Sequence, residues 1–246
     1  MHTSEKGSEI AKKGFKREVE IVDIFNNIIN NRNDIYMNQI IYMLDVRNFD
    51  INKLTEVSAL AHSGQKYDLS VKIMYDGKEY NFFIQSKKSE AGFSQIDKRW
   101  VDKYKELWDI PNNIVETLNY FTGMTPPCYS NTRDSRRMFL DEIEDDKVNN
   151  LILWFDRNYH KVIGTIFGIN INPRVSHVIV SGSDVNDSVI VRVYKFIDLY
   201  SGPIIISPKG SLYIGKITMQ RKGGDNGRKT ANMLQFKINP KRAKDD

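Results

Sequence analysis

The stretch YDLSVKIMYDGKEYNFFIQSK, residues 67 to 87, decides the fold of this chain. Residues 67–75 alternate apolar and polar side chains, which is typical of a strand with one buried face. Asp76-Gly77 is a strong signal for a two-residue turn, so residues 79–87 are expected to form the returning strand. The stretch therefore predicts an antiparallel β-hairpin.

The length of the turn also predicts the register of this hairpin. A two-residue turn pairs Tyr75 with Lys78, and counting back along both strands places Asp68 directly opposite Gln85. Paired side chains share a face, with Cβ atoms roughly 4.5–5.5 Å apart, and Lys87 lies on that face too because it is two residues beyond Gln85. The opposite face is apolar and should point into the core: Leu69, Val71, Ile73, Tyr80, Phe82 and Ile84.

The polar group at the open end of the hairpin suits phosphodiester hydrolysis. Asp68 would hold Mg²⁺, an ion that prefers oxygen ligands, and the Gln85 side-chain carbonyl and the Ser86 main-chain carbonyl would add two neutral oxygens. Lys87 would orient the attacking water and offset charge on the phosphate. The alternative left open by the pattern is a polar strand end without a catalytic role.

The rest of the chain predicts a mixed α/β (α+β) fold. Apolar residues recur at helical spacing in residues 8–30, and further helices are expected near 95–108, 113–121 and within 141–167. The segment 124–137 is rich in proline, serine and threonine and reads as a connection, and short β-rich segments follow it. An approximate boundary there divides the chain into a catalytic region, residues 1–125, and a DNA-recognition region, residues 126–246, with interweaving allowed.

The charge of the chain points to a polyanionic partner. The net charge is +5, but residues 208–246 contain ten Lys/Arg and three Asp/Glu, which leaves the rest of the chain slightly acidic. Residues 219–242 mix basic side chains with Asn and Gln around a glycine-rich turn, a composition that suits contacts with phosphates and base edges. A solvated surface hairpin is the alternative. The candidate DNA contacts are Gln220, Arg221, Lys222, Asp225, Asn226, Arg228, Asn232 and Gln235, with Arg136 and Arg137 as expected phosphate contacts.

Several other classes of protein are disfavoured by the composition. A single cysteine, Cys128, cannot form an internal disulfide, which fits a reducing cytoplasm. The longest apolar run, residues 162–171, is too short to span a membrane. The four histidines lack the spacing of metal ligands and are expected to be structural.

The chain resembles the HinP-type, GCGC-cutting type II restriction endonucleases, which are related to MspI. The resemblance rests on GFKRE, SGQKYD…IQSK, GFSQIDKRW, FTGMTPP, SNTRDSRRMF and above all QRKGGDNGRKTANMLQFKINP. The departures are Tyr67 where the family pattern has serine, shorter spacings around Gln85, and a poorly matching segment at residues 141–200.

The resemblance implies a PD-(D/E)xK nuclease core, a mixed sheet flanked by helices, with an SD…QxK variant of the active site. It implies catalytic roles for Asp68, Gln85 and Lys87, and it makes Glu18 a supporting acid. It further implies that Gln95 inserts into the DNA, with Lys98 following on the same segment.

The expected activity is Mg²⁺-dependent cleavage of double-stranded DNA at a short palindrome, GCGC, with Mn²⁺ as a substitute ion. The expected cellular partner is a DNA methyltransferase that protects the host DNA. The enzyme is expected to act as a monomer on DNA, with a weak dimer as the other possibility. A nicking or structure-specific nuclease and a decayed, non-catalytic DNA-binding protein are the alternatives.

Overall fold

The structure, a computed structural model, describes residues 3–90, 92–223 and 230–245, with side chains from Phe15 onward. These residues form eight α-helices and ten β-strands. The helices are α1 Thr3–Asn27, α2 Asp34–Leu44, α3 Val101–Trp108, α4 Asn112–Thr122, α5 Asp145–Arg157, α6 Tyr159–Phe167, α7 Val193–Asp198 and α8 Arg242–Asp245. The strands are β1 Leu54–Ala61, β2 Leu69–Tyr75, β3 Lys78–Lys88, β4 Ser94–Arg99, β5 His177–Ser181, β6 Ser188–Arg192, β7 Ile204–Ile206, β8 Leu212–Ile214, β9 Ile217–Arg221 and β10 Leu234–Ile238.

The chain divides into two compact units, and it passes between them more than once. The first unit contains residues 1–94, 167–197 and 239–246, and the second contains residues 95–166 and 198–238. The mixed α+β fold class predicted from the sequence is confirmed. The assignment of catalysis to residues 1–125 and of recognition to residues 126–246 stays a prediction. None of the helices in the described ranges is both long and apolar enough to cross a lipid bilayer.

The first unit is built on a five-stranded mixed sheet in the order β1-β2-β3-β5-β6. The predicted hairpin is confirmed with its register, since Tyr75 pairs with Lys78 and Leu69 pairs with Ile84. Asp76 and Gly77 both have positive φ, 51° and 73°, which is the backbone that a type I′ turn requires. Beyond the hairpin, β3 pairs with β5 in parallel, and this pairing runs through Gln85, Ser86 and Lys87.

The core of this unit lies on the face that the alternation in β2 predicts. Leu69, Val71 and Ile73 are fully or almost fully buried, and they pack in one cluster with side chains of α1 and α2. In α1 the buried positions with described side chains include Ile21 and Phe25, one turn apart on one face, and Ile28 just beyond the end of the helix is buried as well. The helix predicted over residues 8–30 ends at Asn27, and of the apolar residues in that range Phe15 on α1 and Ile29 after it are exposed, at 55% and 48%.

The second unit contains a sheet in the order β4-β10-β9-β8-β7. Its core is aromatic: Tyr104 stacks on Trp108 with ring centroids 4.3 Å apart, and both rings meet Phe236 edge-on. The prediction of one helix across residues 95–108 was wrong in its first half. Residues 94–99 form β4 beside β10, because pairing with a neighbouring strand outweighs a weak local preference, and the helix begins only at Val101.

Candidate active site

Asp68 stands immediately before β2, where the pairing of the hairpin slips by one residue. Leu69 and Asp68 both lie opposite Ile84, so the predicted position of Asp68 directly opposite Gln85 was wrong. The main-chain N–H of Asp68 donates to the Ile84 carbonyl at 2.9 Å, and its own carbonyl accepts from the His62 N–H at 2.8 Å. Its carboxylate Oδ2 accepts from the Ser86 N–H at 2.7 Å. Because main chain and side chain are both tied to neighbouring strands, the carboxylate is held in a defined place at the open end of the hairpin.

Lys87 reaches the same place from β3. Its Nζ donates to the Ser86 carbonyl at 3.1 Å and lies 3.7 Å from Asp68 Oδ2. The Lys87 side chain is only 10% exposed, so little water screens its attraction to the carboxylate. The predicted convergence of Asp68 and Lys87 is therefore observed in the first unit, although their catalytic roles stay predictions.

Gln85 is buried beside them, with 2% of its surface exposed. Its Nε2 donates to the main-chain carbonyl of Lys66 at 2.9 Å. Its Oε1 is buried and, among the described residues, accepts no hydrogen bond. A buried carbonyl oxygen without a donor is uncommon and costs stability, so it calls for a ligand or another explanation.

Glu18 of α1 lies within electrostatic reach of this group. Burial and, second, the negative charge of Asp68 raise the pKa of Glu18 to about 7, while Lys87 and Lys88 oppose the shift. The pKa of Lys88 is lowered, chiefly by burial and then by Arg17. Glu18 is thus a carboxyl group near half ionisation at neutral pH beside Asp68, as expected of a supporting acid at an active site.

The donor set fits a hard divalent cation. One carboxylate, the unpartnered Gln85 Oε1 and the Ser86 carbonyl are all oxygen ligands, which Mg²⁺ prefers. The described residues contain no group of three or more His, Cys, Asp or Glu side chains arranged for a metal. A metal at this strand end would therefore depend on amide and main-chain oxygens and on water as well as on Asp68.

Two of the predicted DNA contacts, Arg221 and Asn232, form a buried network in the second unit. Arg221 donates from Nε to the Thr122 carbonyl at 2.9 Å and from Nη2 to Asn232 Oδ1 at 2.7 Å. Asn232 in turn donates to the Gly123 carbonyl at 2.9 Å. These bonds fasten the hairpin of β9 and β10 to the end of α4, which is a positioning arrangement rather than a free base-reading one.

The other predicted contacts of β9 and β10 are partly described. Gln235 is buried and donates from Nε2 to the Arg221 carbonyl at 3.2 Å, and it pairs across the strands with Gln220. Lys222 donates its main-chain N–H to the Met233 carbonyl. Three candidates lie outside the described residues: Asp225, Asn226 and Arg228.

The arginines of the 133–137 segment are engaged with acids and aromatic rings. Arg136 makes a two-pronged contact with Asp134, at 2.8 and 3.0 Å. The guanidinium of Arg137 lies 4.0 Å from the ring centre of Phe139, and burial together with Arg221 lowers its pKa. On β4, Gln95 is exposed and Lys98 is half-buried, so both are accessible in the second unit.

Two residues near the site were missed by reasoning from the sequence. Lys66 supplies the carbonyl that holds Gln85. Gly168 has φ +74° and lies so close to Lys66 that a Cβ there would come within 2.5 Å of Lys66 Cγ. Lys66 belongs to the SGQKYD motif, which carried a signal, but nothing in the sequence connects Gly168 to this loop.

Two of three comparisons with known proteins find a match. A search of curated proteins finds no match. The structure is similar to that of the restriction endonuclease MspI in complex with its cognate DNA, with a TM-score of 0.64 and 12% identity over 96% of this chain and 93% of that one. At that identity the likeness concerns the fold. The family model described as R.HinP1I restriction endonuclease matches residues 47–243, which is more than half of the chain and includes Asp68, Gln85 and Lys87. The chain therefore belongs to the R.HinP1I restriction endonuclease family and is a type II site-specific deoxyribonuclease.

Proposed function

We propose that this restriction endonuclease cleaves both strands of double-stranded DNA at the palindrome GCGC with Mg²⁺ as its cofactor and Mn²⁺ as a substitute. Two observations carry the chemistry: the approach of Lys87 Nζ to Asp68 Oδ2 at the open end of the hairpin, and the unpartnered Oε1 of the buried Gln85, two residues before Lys87 on β3. The choice of GCGC rests on the resemblance of residues 220–240 to the HinP-type enzymes.

Asp68, the Gln85 carbonyl and the Ser86 carbonyl would hold the ion. Mg²⁺ at this place would supply Lewis acidity, neutralising charge on the phosphate and lowering the pKa of water. Asp68 contributes the formal negative charge, whereas Gln85 and Ser86 contribute dipoles. With fewer charges than a pair of carboxylates would provide, the protein should bind the ion weakly in the absence of DNA.

Lys87 would position the reacting groups. Its Nζ lies between Asp68 Oδ2 and the Ser86 carbonyl, and its remaining donors can hold the attacking water and a non-bridging oxygen of the phosphate. In the displacement, the water oxygen bonds to phosphorus while the bond from phosphorus to the leaving sugar oxygen breaks. A fixed ammonium next to the developing charge lowers the barrier most when little water screens it.

Glu18 would serve as a proton acceptor at this site. With a pKa of about 7, its carboxyl group is partly ionised at neutral pH, which is the range in which a side chain can both take and return a proton. It would accept the proton that the attacking water loses. Glu18 lies before residue 47, where the family match begins, so its role rests on the geometry and on the GFKRE resemblance.

Recognition is assigned to the second unit. The β9–β10 hairpin, with Gln220, Lys222 and the glycine-rich segment that follows, would contact the bases, and Arg221, Asn232 and Gln235 would hold the hairpin in shape from within. Arg136 and Arg137 would contact phosphates, and Gln95 would insert into the DNA with Lys98 beside it. The exposed position of Gln95 supports that role.

The decisive experiment is a digest of a plasmid with mapped GCGC sites, followed by sequencing of the fragment ends. Discrete fragments that end at GCGC in Mg²⁺, and intact DNA in EDTA, are expected. Discrete fragments ending elsewhere would assign another target. Nicked circles or smears would indicate a nicking or structure-specific nuclease, and a gel shift without cleavage would indicate a decayed site.

The cellular partner would be a DNA methyltransferase acting on the same sequence in the cytoplasm, because an active enzyme of this kind would otherwise cut its own genome. The protein would act as a monomer, with a weak dimer only at high concentration. Plasmid DNA methylated at GCGC should resist the digest, and light scattering with and without a GCGC duplex would report the mass of the active species.

A further inference from the structure

The side-chain amide of Gln85 can adopt only one orientation. Nε2 donates to the Lys66 carbonyl at 2.9 Å, and the side chain is buried. The reverse orientation would bring Oε1 against the Lys66 carbonyl, so that two acceptors would meet without a proton between them. The Lys66 carbonyl therefore determines that the side-chain oxygen of Gln85, and not its nitrogen, is the atom without a hydrogen-bond partner.

Lys66 is itself held by a contact that only glycine permits. Gly168 has φ +74°, and a Cβ at this position would lie 2.5 Å from Lys66 Cγ and 2.8 Å from Val175 Cγ2. The carbonyl of Gly168 accepts from the Val175 N–H at 2.8 Å, which fixes the glycine against the start of β5. The aliphatic stem of Lys66 is thus seated on the main chain of Gly168.

We propose that Lys66, seated on Gly168, is the positioning residue that turns Gln85 into a neutral oxygen ligand, and that this contact is the reason why the position holds glutamine rather than glutamate. The inference rests on the proposed function, because it takes Gln85 Oε1 as a ligand of the cation. Glutamate would retain the oxygen that faces the ion but would lose the donor that Lys66 requires. The gain in metal affinity from the added negative charge would then be cancelled by the cost of a buried contact between two acceptors.

The test measures Mn²⁺ binding to the DNA-free protein by calorimetry for four variants. Gln85→Ala reports whether Gln85 is a ligand at all. Gly168→Ala reports whether the packing of Lys66 against Gly168 is needed for metal binding. Their double variant reports whether the two act together. Gly77→Ala is the matched control, because Gly77 has a nearly equal φ of +73° at the far end of the same hairpin and no atom near its missing Cβ.

Loss of a residue that orients a metal ligand typically weakens metal binding about 10- to 100-fold. Gly168→Ala should weaken Mn²⁺ binding by about tenfold or more on that scale, and the double variant should bind no more weakly than Gln85→Ala. Gly77→Ala should bind like the wild type. Wild-type affinity in Gly168→Ala, or additive losses in the double variant, would overturn the positioning role. Wild-type affinity in Gln85→Ala would instead remove Gln85 from the proposed site.

Gln85→Glu keeps the test decisive if Gly168→Ala fails to fold. An added carboxylate usually strengthens binding of a hard cation, but here the lost bond to Lys66 should cancel that gain, leaving Mn²⁺ affinity within about threefold of the wild type and lowering the melting temperature of the metal-free protein. Tightening by about tenfold or more with an unchanged melting temperature would show that Lys66 does not select the amide.

Discussion

Arg221, the last residue of β9, and Asn232, in the connection that leads to β10, are joined through a single oxygen. Asn232 Oδ1 accepts from Nε of Arg221 at 3.1 Å and from Nη2 at 2.7 Å. Both residues also hold carbonyls at the end of α4, those of Thr122 and Gly123. The pair that looks suited to reading bases is therefore occupied in fastening the hairpin to its own unit.

Asn232→Ala should destabilise this hairpin. It removes the acceptor of two Arg221 donors inside a partly buried network, which costs about 1–3 kcal/mol in comparable cases. Because the hairpin would lose its shape, affinity for GCGC duplexes should fall, while affinity for random DNA should change little. Urea unfolding would measure the stability, and fluorescence titration would measure the two DNA affinities. Lys216→Ala, an exposed change in the turn before β9, is the control. Wild-type stability in Asn232→Ala would show that the bond between Arg221 and Asn232 does not hold the hairpin in place.

Lys87→Ala should suppress cleavage while leaving binding to a GCGC duplex intact. Its Nζ lies 3.7 Å from Asp68 Oδ2, and removing one preorganised donor typically lowers turnover by about 10²–10³. Single-turnover cleavage and a gel shift in Ca²⁺ would separate the two effects. Lys72→Ala, on the same hairpin and ion-paired with Glu56, should cut normally. Cleavage by Lys87→Ala at more than a tenth of the wild-type rate would remove Lys87 from the mechanism.

Glu18→Gln should stabilise the metal-free protein at alkaline pH. The folded pKa of about 7 lies above the ordinary value of 4.5, so the folded state binds the proton more tightly, and stability falls as pH rises from 4.5 to 7. Below pH 4.5 the substitution should have no such effect. The side chain is half exposed, so screening leaves only about 1 kcal/mol above pH 7, or a melting shift of about 2–4 °C.

Thermal melts of the metal-free protein at pH 4.5 and pH 8 would test this pH dependence. Glu79→Gln, on the exposed part of β3, is the control for removing one carboxylate. Equal melting temperatures for Glu18→Gln and the wild type at pH 8 would show that Glu18 is not held in the raised-pKa state. The same variant should also lose much of its cleavage rate at neutral pH if Glu18 accepts the proton of the attacking water.

His177→Phe should reduce the sensitivity of the protein to acid. Burial, together with Arg192, lowers the pKa of His177 from 6.5 to about 4, and the ring packs edge-on against Phe82 and Tyr42. The unfolded chain binds the proton more tightly, so the stability from a neutral His177 is complete above pH 6.5 and is lost as pH falls through about 4.

That difference corresponds to about 3 kcal/mol. Urea unfolding of the wild type between pH 7 and pH 4 should show a loss of this order, and His177→Phe should show a shallower slope. The exposed His160→Gln is the control for removing a histidine. If the slopes of His177→Phe and the wild type coincide, the acid sensitivity arises from other groups.

The hairpin and its register followed from the sequence alone. Alternation in residues 67–75 and the Asp76-Gly77 turn are local signals, and a turn of two residues leaves one register, with Leu69, Val71 and Ile73 on one buried face. The approach of Lys87 to Asp68 at this strand end was predicted in the same way, whereas the slip in pairing at Asp68 was not. Where the local signal was weak, at residues 94–99, pairing with β10 decided for a strand, and the predicted helix was wrong.

The sequence by itself determined which side chains meet at the end of the β-hairpin and, through its motifs, the family to which the chain belongs. Only the tertiary structure decided how they are held. Gly168 is far from Lys66 along the chain, yet it seats the loop that orients Gln85. Arg221 and Asn232, whose contacts with DNA stay a prediction, also hold the carbonyls of Thr122 and Gly123 at the end of α4. Such contacts depend on close packing between distant segments, which no local pattern of residues encodes.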